Sequence, residues 1–508
     1  MVLYSTKTMF TFIFFFLILS PHFTDSASID FNAPVLLKTS PNQFINSAKQ
    51  VITNLQQVTT ILSRFNVNAA HPRVSNAISD CLDLIDLSTQ NLHWSISAIQ
   101  NPNGKDNSTG NLSADLRTWL SAVLVNQDTC IEGLQGTNVK GLVYTDFDRV
   151  KSVVKNLLDE VIPVNDHLTT AIGSDRFPSW IKDNDVHLLR AKKVKADAVV
   201  AADGSGNYRR VMDAISAAPE NSKKRYVIRV KKGVYIENVV IDEKKWNIMM
   251  FGDGMDATVI SGNRNNVDAY MIPKTATFAV KGRGFIARDI SFRNTAGPDK
   301  HVAVALLSSS DLSVFYRCGI YGYQASLYAQ VMRQFYRECK ITGTLDIIFG
   351  DATAVFQKCQ ILARQGLEDQ ENTITAQGRR YPRQPTGFSF QFCNISAETN
   401  VINPTFLGRP QQKYSRTIFM QSYLSDAIHP EGWLPWMGIL HRDTLYYGEY
   451  KNYGPGSVVT NRVKWPGYHV LNDPKDVIKY TVAQFIDGDS WLPATGVPYD
   501  SGLTVKNI

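Results

Sequence analysis

Two different hydrophobic periods divide the chain. From about residue 40 to 172, apolar positions recur at spacings of three and four. One set is Ile78, Leu82, Ile85, Leu92, Ile96 and Ile99. Another is Leu116, Leu120, Val123, Leu124 and Ile131 with Gln127 among them, and a third is Val150, Val153, Leu157 and Val161. Such stripes mark helices that bury one face. Gly and Pro gather between the stripes, as in "NPNG" (101–104), so the region predicts an all-α antiparallel helix bundle. Cys81 and Cys130 fall on two of these helices and are expected to pair.

From about residue 196 the period becomes two. Short strand-like runs, "RYVIRV", "NIMMF", "GFIARDISF" and "TFAV", are separated by Gly, Asn and Asp. A longer repeat overlies them. Phe315, Phe335 and Phe356 are 20 and 21 residues apart, and Cys318, Cys339 and Cys359 are 21 and 20 apart. A fixed period near 20 in strand-rich sequence predicts a solenoid, one coil per repeat. Parallel coils stack about 4.8 Å apart, which brings cysteines of neighbouring coils within disulfide reach. Cys318–Cys339 and Cys359–Cys393 are the assigned pairs; free core thiols in a ladder are the alternative.

The same stacking raises a chemical question. "CGIYGYQASLYA" (318–329) and "CKITGTLDIIFG" (339–350) are consecutive repeats, and the seventh residue after each cysteine is Ala325 in one and Asp346 in the other. Two side chains are expected over each other, and one of them is a carboxylate.

Composition narrows the context. A 508-residue chain, 44% hydrophobic and 19% charged, has enough apolar material for two domains. The net charge of +7 comes without a long Lys/Arg run, so nucleic acid is not an expected partner. The "DGSGN" loop (203–207) lacks a complete dinucleotide fingerprint. "MFTFIFFFLIL" (9–19) is too short to span a bilayer, follows Lys7 and precedes Ser26, Ala27 and Ser28. It reads as a secretory signal cleaved near Ala27, with no membrane segment left afterwards. An oxidising compartment follows for the six cysteines, and three N-x-[ST] sequons, at Asn107, Asn111 and Asn394, agree with export. Arg190, Lys192, Lys193 and Lys195 form a basic cluster at the junction, either a processing site or an exposed linker.

Several motifs carry a resemblance to a known family. "GVYIENV" (233–239), "FIARDISFRNTAGP" (285–298), "GTLDIIFGDA" (343–352), "TAQGR" (375–379), "FLGRP" (406–410) and "DTLYYGEY" (443–450) resemble plant pectin methylesterases. "LRTWLSAVLVNQDTC" (116–130) resembles the inhibitor domain fused ahead of many of them. The resemblance implies a right-handed parallel β-helix, all-β, behind the bundle. It implies a signal at 1–27, an inhibitor-like bundle at 28–175, a linker at 176–195 and the β-helix at 196–508. It further implies secretion to the plant cell wall, action on methyl-esterified homogalacturonan (pectin), and no metal or organic cofactor. Its own esterase domain and other pectinesterases are the partners implied for the bundle. A polygalacturonase is disfavoured, because the chain has neither an Asp-Asp pair nor Gly-His-Gly.

Family chemistry uses a nucleophilic aspartate, an acid/base aspartate, oxyanion-stabilising glutamines and an arginine that orients the nucleophile. A carboxylate attacking an ester builds an oxyanion, which needs preorganised donors, and expels methoxide, which needs a proton. By resemblance Asp346 matches the nucleophile, Arg409 its orienting partner, Gln324 an oxyanion donor, and Trp433 an aromatic lining the sugar cleft. The remaining positions depart: Ala325 stands for the acid/base aspartate, Val302 for the second glutamine, Gln411 for a tryptophan after "LGRP", and Ile272-Pro273 for a Thr-Phe pair. A weak or inactive esterase is therefore expected, with non-catalytic pectin binding or esterase inhibition as the alternative. Asp351 is the nearby carboxylate weighed as a replacement acid. The bundle also departs, with "LLKTSPNQF" (36–44) where a first cysteine pair is usual, and "HLLRAKK" (187–193) where a double-arginine processing motif is usual.

Overall fold

The computed structural model describes residues 37–66, 72–102, 109–163 and 195–503. The expected signal, Asn107 and the basic part of the junction up to residue 194 lie outside them. Four helices form the bundle: α1 Pro41–Asn66, α2 Pro72–Gln100, α3 Leu112–Gly133 and α4 Val139–Glu160. Their buried faces are the predicted stripes, with Ile78, Ile85, Leu92, Leu116, Leu120 and Val150 at the centre. Cys81 and Cys130 are bonded, tying α2 to α3. Asn111 caps α3, its Oδ1 accepting from the Ala114 amide at 3.1 Å. Where a first cysteine pair is missing, the backbone joins the ends of the bundle. Leu37 bridges Val161, and the Lys38 amide donates to Glu160 O at 3.0 Å.

The second region is a parallel β-helix. Its strands fall into an 11-stranded, a 6-stranded and an 8-stranded sheet plus a two-stranded ladder, every strand pair parallel. The repeat follows the cysteines: Gly319 pairs with Lys340, and Lys340 with Gln360. One aromatic is displaced from its expected place. Tyr336, not Phe335, stands between Phe315 and Phe356, with ring centroids 4.9 and 4.6 Å apart. Phe390 and Phe419 continue that column at 4.6 and 4.5 Å. Phe335 pairs with Val314 and Val355 and faces out of the coil, because adjacent strand residues point to opposite faces.

Cys318, Cys339, Cys359 and Cys393 are buried free thiols, which corrects the expected Cys318–Cys339 and Cys359–Cys393 bonds. Each of the last three thiols donates to a backbone carbonyl one coil back: Cys339 Sγ to Phe315 O at 3.2 Å, Cys359 Sγ to Tyr336 O at 3.5 Å, and Cys393 Sγ to Phe356 O at 3.3 Å. The thiols act as small apolar core residues whose weak donors are satisfied by the strand ladder.

The C-terminal chain closes the outer side of the 11-stranded sheet. Val482, Ile486, Trp491 and Leu492 cover Met249, Ile286, Val314, Phe335 and Val355. Beyond them the tail runs across successive coils. Asp500 Oδ2 accepts from Arg337 at 2.7 Å and pairs with Lys358 at 3.1 Å; Asp500 O accepts from Gln357 at 2.9 Å, and Gly502 O from Gln391 at 3.0 Å.

The bundle packs directly on the β-helix through opposite charges. Arg333 lies fully buried between Asp115 of α3, at 2.8 Å, and Asp311 of the β-helix, at 2.7 Å. Trp119 of α3 also donates to Asp311 at 3.2 Å. Lys274 meets Asp80 and Asp83 of α2 at 3.1 and 3.3 Å, and Arg380 meets Asp128 and Glu132 of α3.

Candidate active site

The site occupies corresponding turns of consecutive coils. Leu327–Ala329 pairs with Ile348–Gly350 and with Leu306–Ser308, each at an offset of 21. Two residues before the paired Leu327 and Ile348 stand Ala325 and Asp346, so the expected superposition is the one observed. Both are left-handed, with φ of 64° and 53°. Short polar side chains tolerate that conformation better than alanine does.

Asp346 is held on two sides. Arg409 Nε donates to Oδ1 at 2.7 Å and Nη2 to Oδ2 at 2.6 Å, a bidentate charge-assisted pair. Thr373 Oγ1 donates to Oδ1 at 2.9 Å, and the Asp346 amide donates to Thr373 Oγ1 at 2.7 Å. The arginine is set by its neighbour. Gly408 approaches so closely that a Cβ there would lie 2.0 Å from Thr375 Oγ1, and the Arg409 amide donates to Thr375 O at 2.9 Å. No side chain other than hydrogen fits at 408, so the strand delivers Arg409 at a fixed height over Asp346.

The other half of the site is apolar. Ala325 belongs to a cluster with Ala276, Ala279, Val304, Leu307 and Phe349, and the half-buried Val302 packs against it. Phe349 stacks on Tyr328 at 4.2 Å. Gln324 stands beside this cluster, and its Oε1 is shut off from solvent with no hydrogen-bond donor. Gln411 lies where the chain passes Gly378, its Oε1 3.2 Å from where a Cβ on that glycine would stand.

One expectation needs correction. Trp433 does not line the cleft. It is fully buried, stacked on Tyr447 at 4.0 Å, with Nε1 3.4 Å from Glu449, because Gly408 bridges it backbone to backbone and draws it into the coil. The aromatic that faces the site is Trp436, whose ring covers the Arg409 guanidinium at 4.4 Å. The second "W" of "EGWLPW" was its only sequence signal. Asp351 is no mobile acid either. Its carboxylate receives Gln377 at 3.0 Å, Gln384 at 2.8 Å and Thr386, and burial pushes it up to about 6.

The bundle reaches the edge of this site. Thr129 of α3 lies beside the Tyr328 hydroxyl, and Gly133 abuts Met271, next to Ile272-Pro273. Asn394, one of the sequons, is exposed on the coil surface. Among the described residues no cluster of His, Cys, Asp and Glu is arranged to hold a metal, and no helix is long and apolar enough to cross a membrane.

Comparison with known proteins supplies the context for this geometry. Residues 197–489 match the family model described as "Pectinesterase", and residues 17–159 the model for plant invertase/pectin methylesterase inhibitors. "Pectinesterase/pectinesterase inhibitor PPE8B" of Prunus persica is 58% identical over 477 residues, covering 92% of this chain and 91% of that protein. "Probable pectinesterase/pectinesterase inhibitor 32" of Arabidopsis thaliana is 53% identical over 513 residues, covering 97% of both. Among solved structures, the pectin methylesterase from carrot is 49% identical, with a TM-score of 0.61, and covers 62% of this chain and 100% of its own. Matched along nearly its whole length by plant relatives, and over more than half of it by the catalytic-domain model, the chain belongs to the pectinesterase family, with an inhibitor-type bundle ahead of the β-helix.

Proposed function

We propose that the protein is exported to the plant cell wall, where its β-helix cleft engages methyl-esterified homogalacturonan and hydrolyses the ester at a severely reduced rate. The observation carrying this reading is the pairing of a preserved nucleophile with a lost partner. Asp346 keeps its bidentate arginine, while the stacked position on the adjacent coil is Ala325.

In this reading Asp346 attacks the ester carbonyl, Arg409 fixes the attacking carboxylate, and Gln324 stabilises the oxyanion. Methoxide must then leave as methanol, and nothing at position 325 can protonate it. Loss of a general acid typically costs about 10²–10⁴ in rate. Val302 removes an oxyanion donor, worth about 10²–10³ alone. The two losses serve one transition state, so their product is an upper bound.

A second reading has its own support. The acidic faces of α2 and α3 engage Lys274, Arg333 and Arg380, with Thr129 and Gly133 at the edge of the site. That contact favours a non-catalytic role, with the bundle acting as an inhibitor-like partner of its own or another esterase domain. Methanol release from esterified pectin by the purified protein, measured against Asp346→Asn, separates the two. Export with cleavage near Ala27 predicts a mature N-terminus close to that residue and sugar on at least one of Asn107, Asn111 and Asn394, both read by mass spectrometry of secreted protein. Residues 28–175 are proposed as the bundle domain, 176–195 as the linker and 196–508 as the β-helix domain.

A further inference from the structure

We propose that Asn394 is the sequon that carries sugar, and that Tyr423 and Tyr453 form a platform for the first N-acetylglucosamine of its glycan, fastening the last coils of the β-helix. The proposal rests on the export reading above and names, among three candidate asparagines, the one whose surroundings fit a glycan.

Strand register brings the parts together. In the 8-stranded sheet Gln360 pairs with Asn394, Asn394 with Tyr423, and Tyr423 is bridged to Tyr453 on the coil after that. Paired residues of parallel strands project from one face, with the strands about 4.8 Å apart. The residues that follow them, Ile361, Ile395 and Leu424, turn into the core. The column of Gln360, Asn394, Tyr423 and Tyr453 therefore points outward. Gln360 and Asn394 are exposed, Tyr423 is half-buried, and Tyr453 is 57% exposed.

Both the amide and the ring are held in place. Ser396, the last residue of the sequon, donates its Oγ to Asn394 Oδ1, which leaves Nδ2, the atom that takes the sugar. Tyr423 is backed on the side away from Asn394. Tyr453 meets it edge to face, with centroids 5.7 Å apart, and a Cβ on Gly454 would stand 2.7 Å from its ring. Gly454 has a φ of 94°, so glycine alone suits that close approach. The coil beyond Asn394 thus presents a fixed aromatic surface. A pyranose ring has a face of C–H groups, which would cover that surface while its hydroxyls stay in water.

Asn111 is placed otherwise. Its Oδ1 is taken by the Ala114 amide, and it lines a cavity at the seam between the bundle and the C-terminal segment, with Phe485 and Asp487. A glycan there would stand between the two domains.

The test uses full-length protein secreted from a glycosylating yeast behind its own signal and, in parallel, behind a signal of the host. Peptide mass spectrometry should find sugar on Asn394 and none on Asn111. An unoccupied Asn394 overturns the proposal, and sugar on Asn111 of the folded protein overturns the choice between the sequons. Sugar on Asn394 only behind the host's signal sinks the export reading and supports the choice of Asn394. Endoglycosidase H then trims the glycan to one N-acetylglucosamine. That form should unfold about 1–3 °C above Asn394→Gln, the size of one added ring contact. Tyr423→Leu should abolish the difference between its trimmed and sugar-free forms. No difference in the wild type, or an equal one in Tyr423→Leu, defeats the platform. The proton resonances of an isotope-labelled sugar decide the matter if that variant does not fold. Over a tyrosine ring they lie upfield of their positions in the denatured protein, and unshifted resonances overturn the proposal.

Discussion

Ala325 and Asp346 occupy the same turn of successive coils, both in the left-handed backbone region, and only Asp346 carries a carboxylate. In the proposed reading, this stacked pair of turns is an esterase site short of one carboxylate. Wild-type protein should therefore release methanol from pectin at least about a hundredfold more slowly than an intact relative, the low end for loss of one general acid. Ala325→Asp alone should recover little, since Val302 still leaves the oxyanion short of a donor. Ala325→Asp with Val302→Gln should recover more than the sum of the two singles. Near-normal wild-type turnover that vanishes in Asp346→Asn would refute this.

Arg333 is the interdomain residue with most to lose. Removing it leaves Asp115 and Asp311, both fully buried, without their ion-pair partner, Arg283 being the remaining buried cation nearby. Arg333→Ala should cost about 3–5 kcal/mol in a denaturant titration, the usual range for breaking a buried pair. The companion change Asp115→Asn should cost less and should raise hydrogen exchange along α3. An Arg333→Ala protein as stable as wild type would mean that the two domains do not share this charge in solution.

Acid should favour the folded state through two groups. Burial pushes both Asp351 and Asp487 up to about 6, from an ordinary aspartate value of 3.8. Between those values the unfolded chain has lost the proton that the folded chain keeps, so each group makes stability fall as pH rises from about 4 to about 6. Above that the penalty is constant, and below about 4 it is absent. A shift of this size corresponds to about 3 kcal/mol per group. Asp351→Asn should flatten the pH dependence of unfolding in that window, and an unchanged profile would rule out Asp351 as its source.

The buried thiols give a sharp chemical result. Non-reducing peptide mapping should find Cys81 joined to Cys130 and the other four cysteines unlinked. An alkylating agent should reach Cys318, Cys339, Cys359 and Cys393 only after denaturation, since burial withholds them from solvent. Recovery of a peptide linking any two of the four would contradict the thiol ladder.

The two tryptophans of "EGWLPW" should separate cleanly. Trp433→Ala empties a fully buried, stacked position and should destabilise the protein by about 3–5 kcal/mol. Trp436→Ala should leave the unfolding midpoint nearly unchanged and weaken pectin oligomer binding instead. If Trp436→Ala binds normally, the aromatic over Arg409 plays no part in recognition.

Much of the fold was legible because a solenoid repeats its inward set on every coil. The cysteine spacing gave the register that stacks Ala325 on Asp346, and the resemblance of "FLGRP" identified Arg409. The irregular parts were not legible. Phe335 is misplaced by the spacing because the step from Val314 to Phe335 is 21 residues and the next, to Val355, is 20, and one residue of slip turns a side chain out of the core. Trp433 and Trp436 sit in a loop with no period, where nothing in the sequence says which ring turns inward. In the Asp115–Arg333–Asp311 contact, Asp115 and Arg333 are more than two hundred positions apart, and long-range charge pairing leaves no local mark. The cysteines were read from proximity alone, which cannot tell a bond from a stack of satisfied thiols.

The C-terminal tail changes what kind of object the β-helix is. In a plain solenoid each coil touches only the coils beside it, so damage at one level can open locally and spread as a zipper does. Here the tail bonds Arg337, Gln357, Lys358 and Gln391, which belong to three successive coils. It works like the spine of a bound book, since no leaf can be lifted out without loosening the binding of its neighbours. A coil in the middle of the stack therefore inherits the stability of the whole, and the turn that carries Asp346 is held with it.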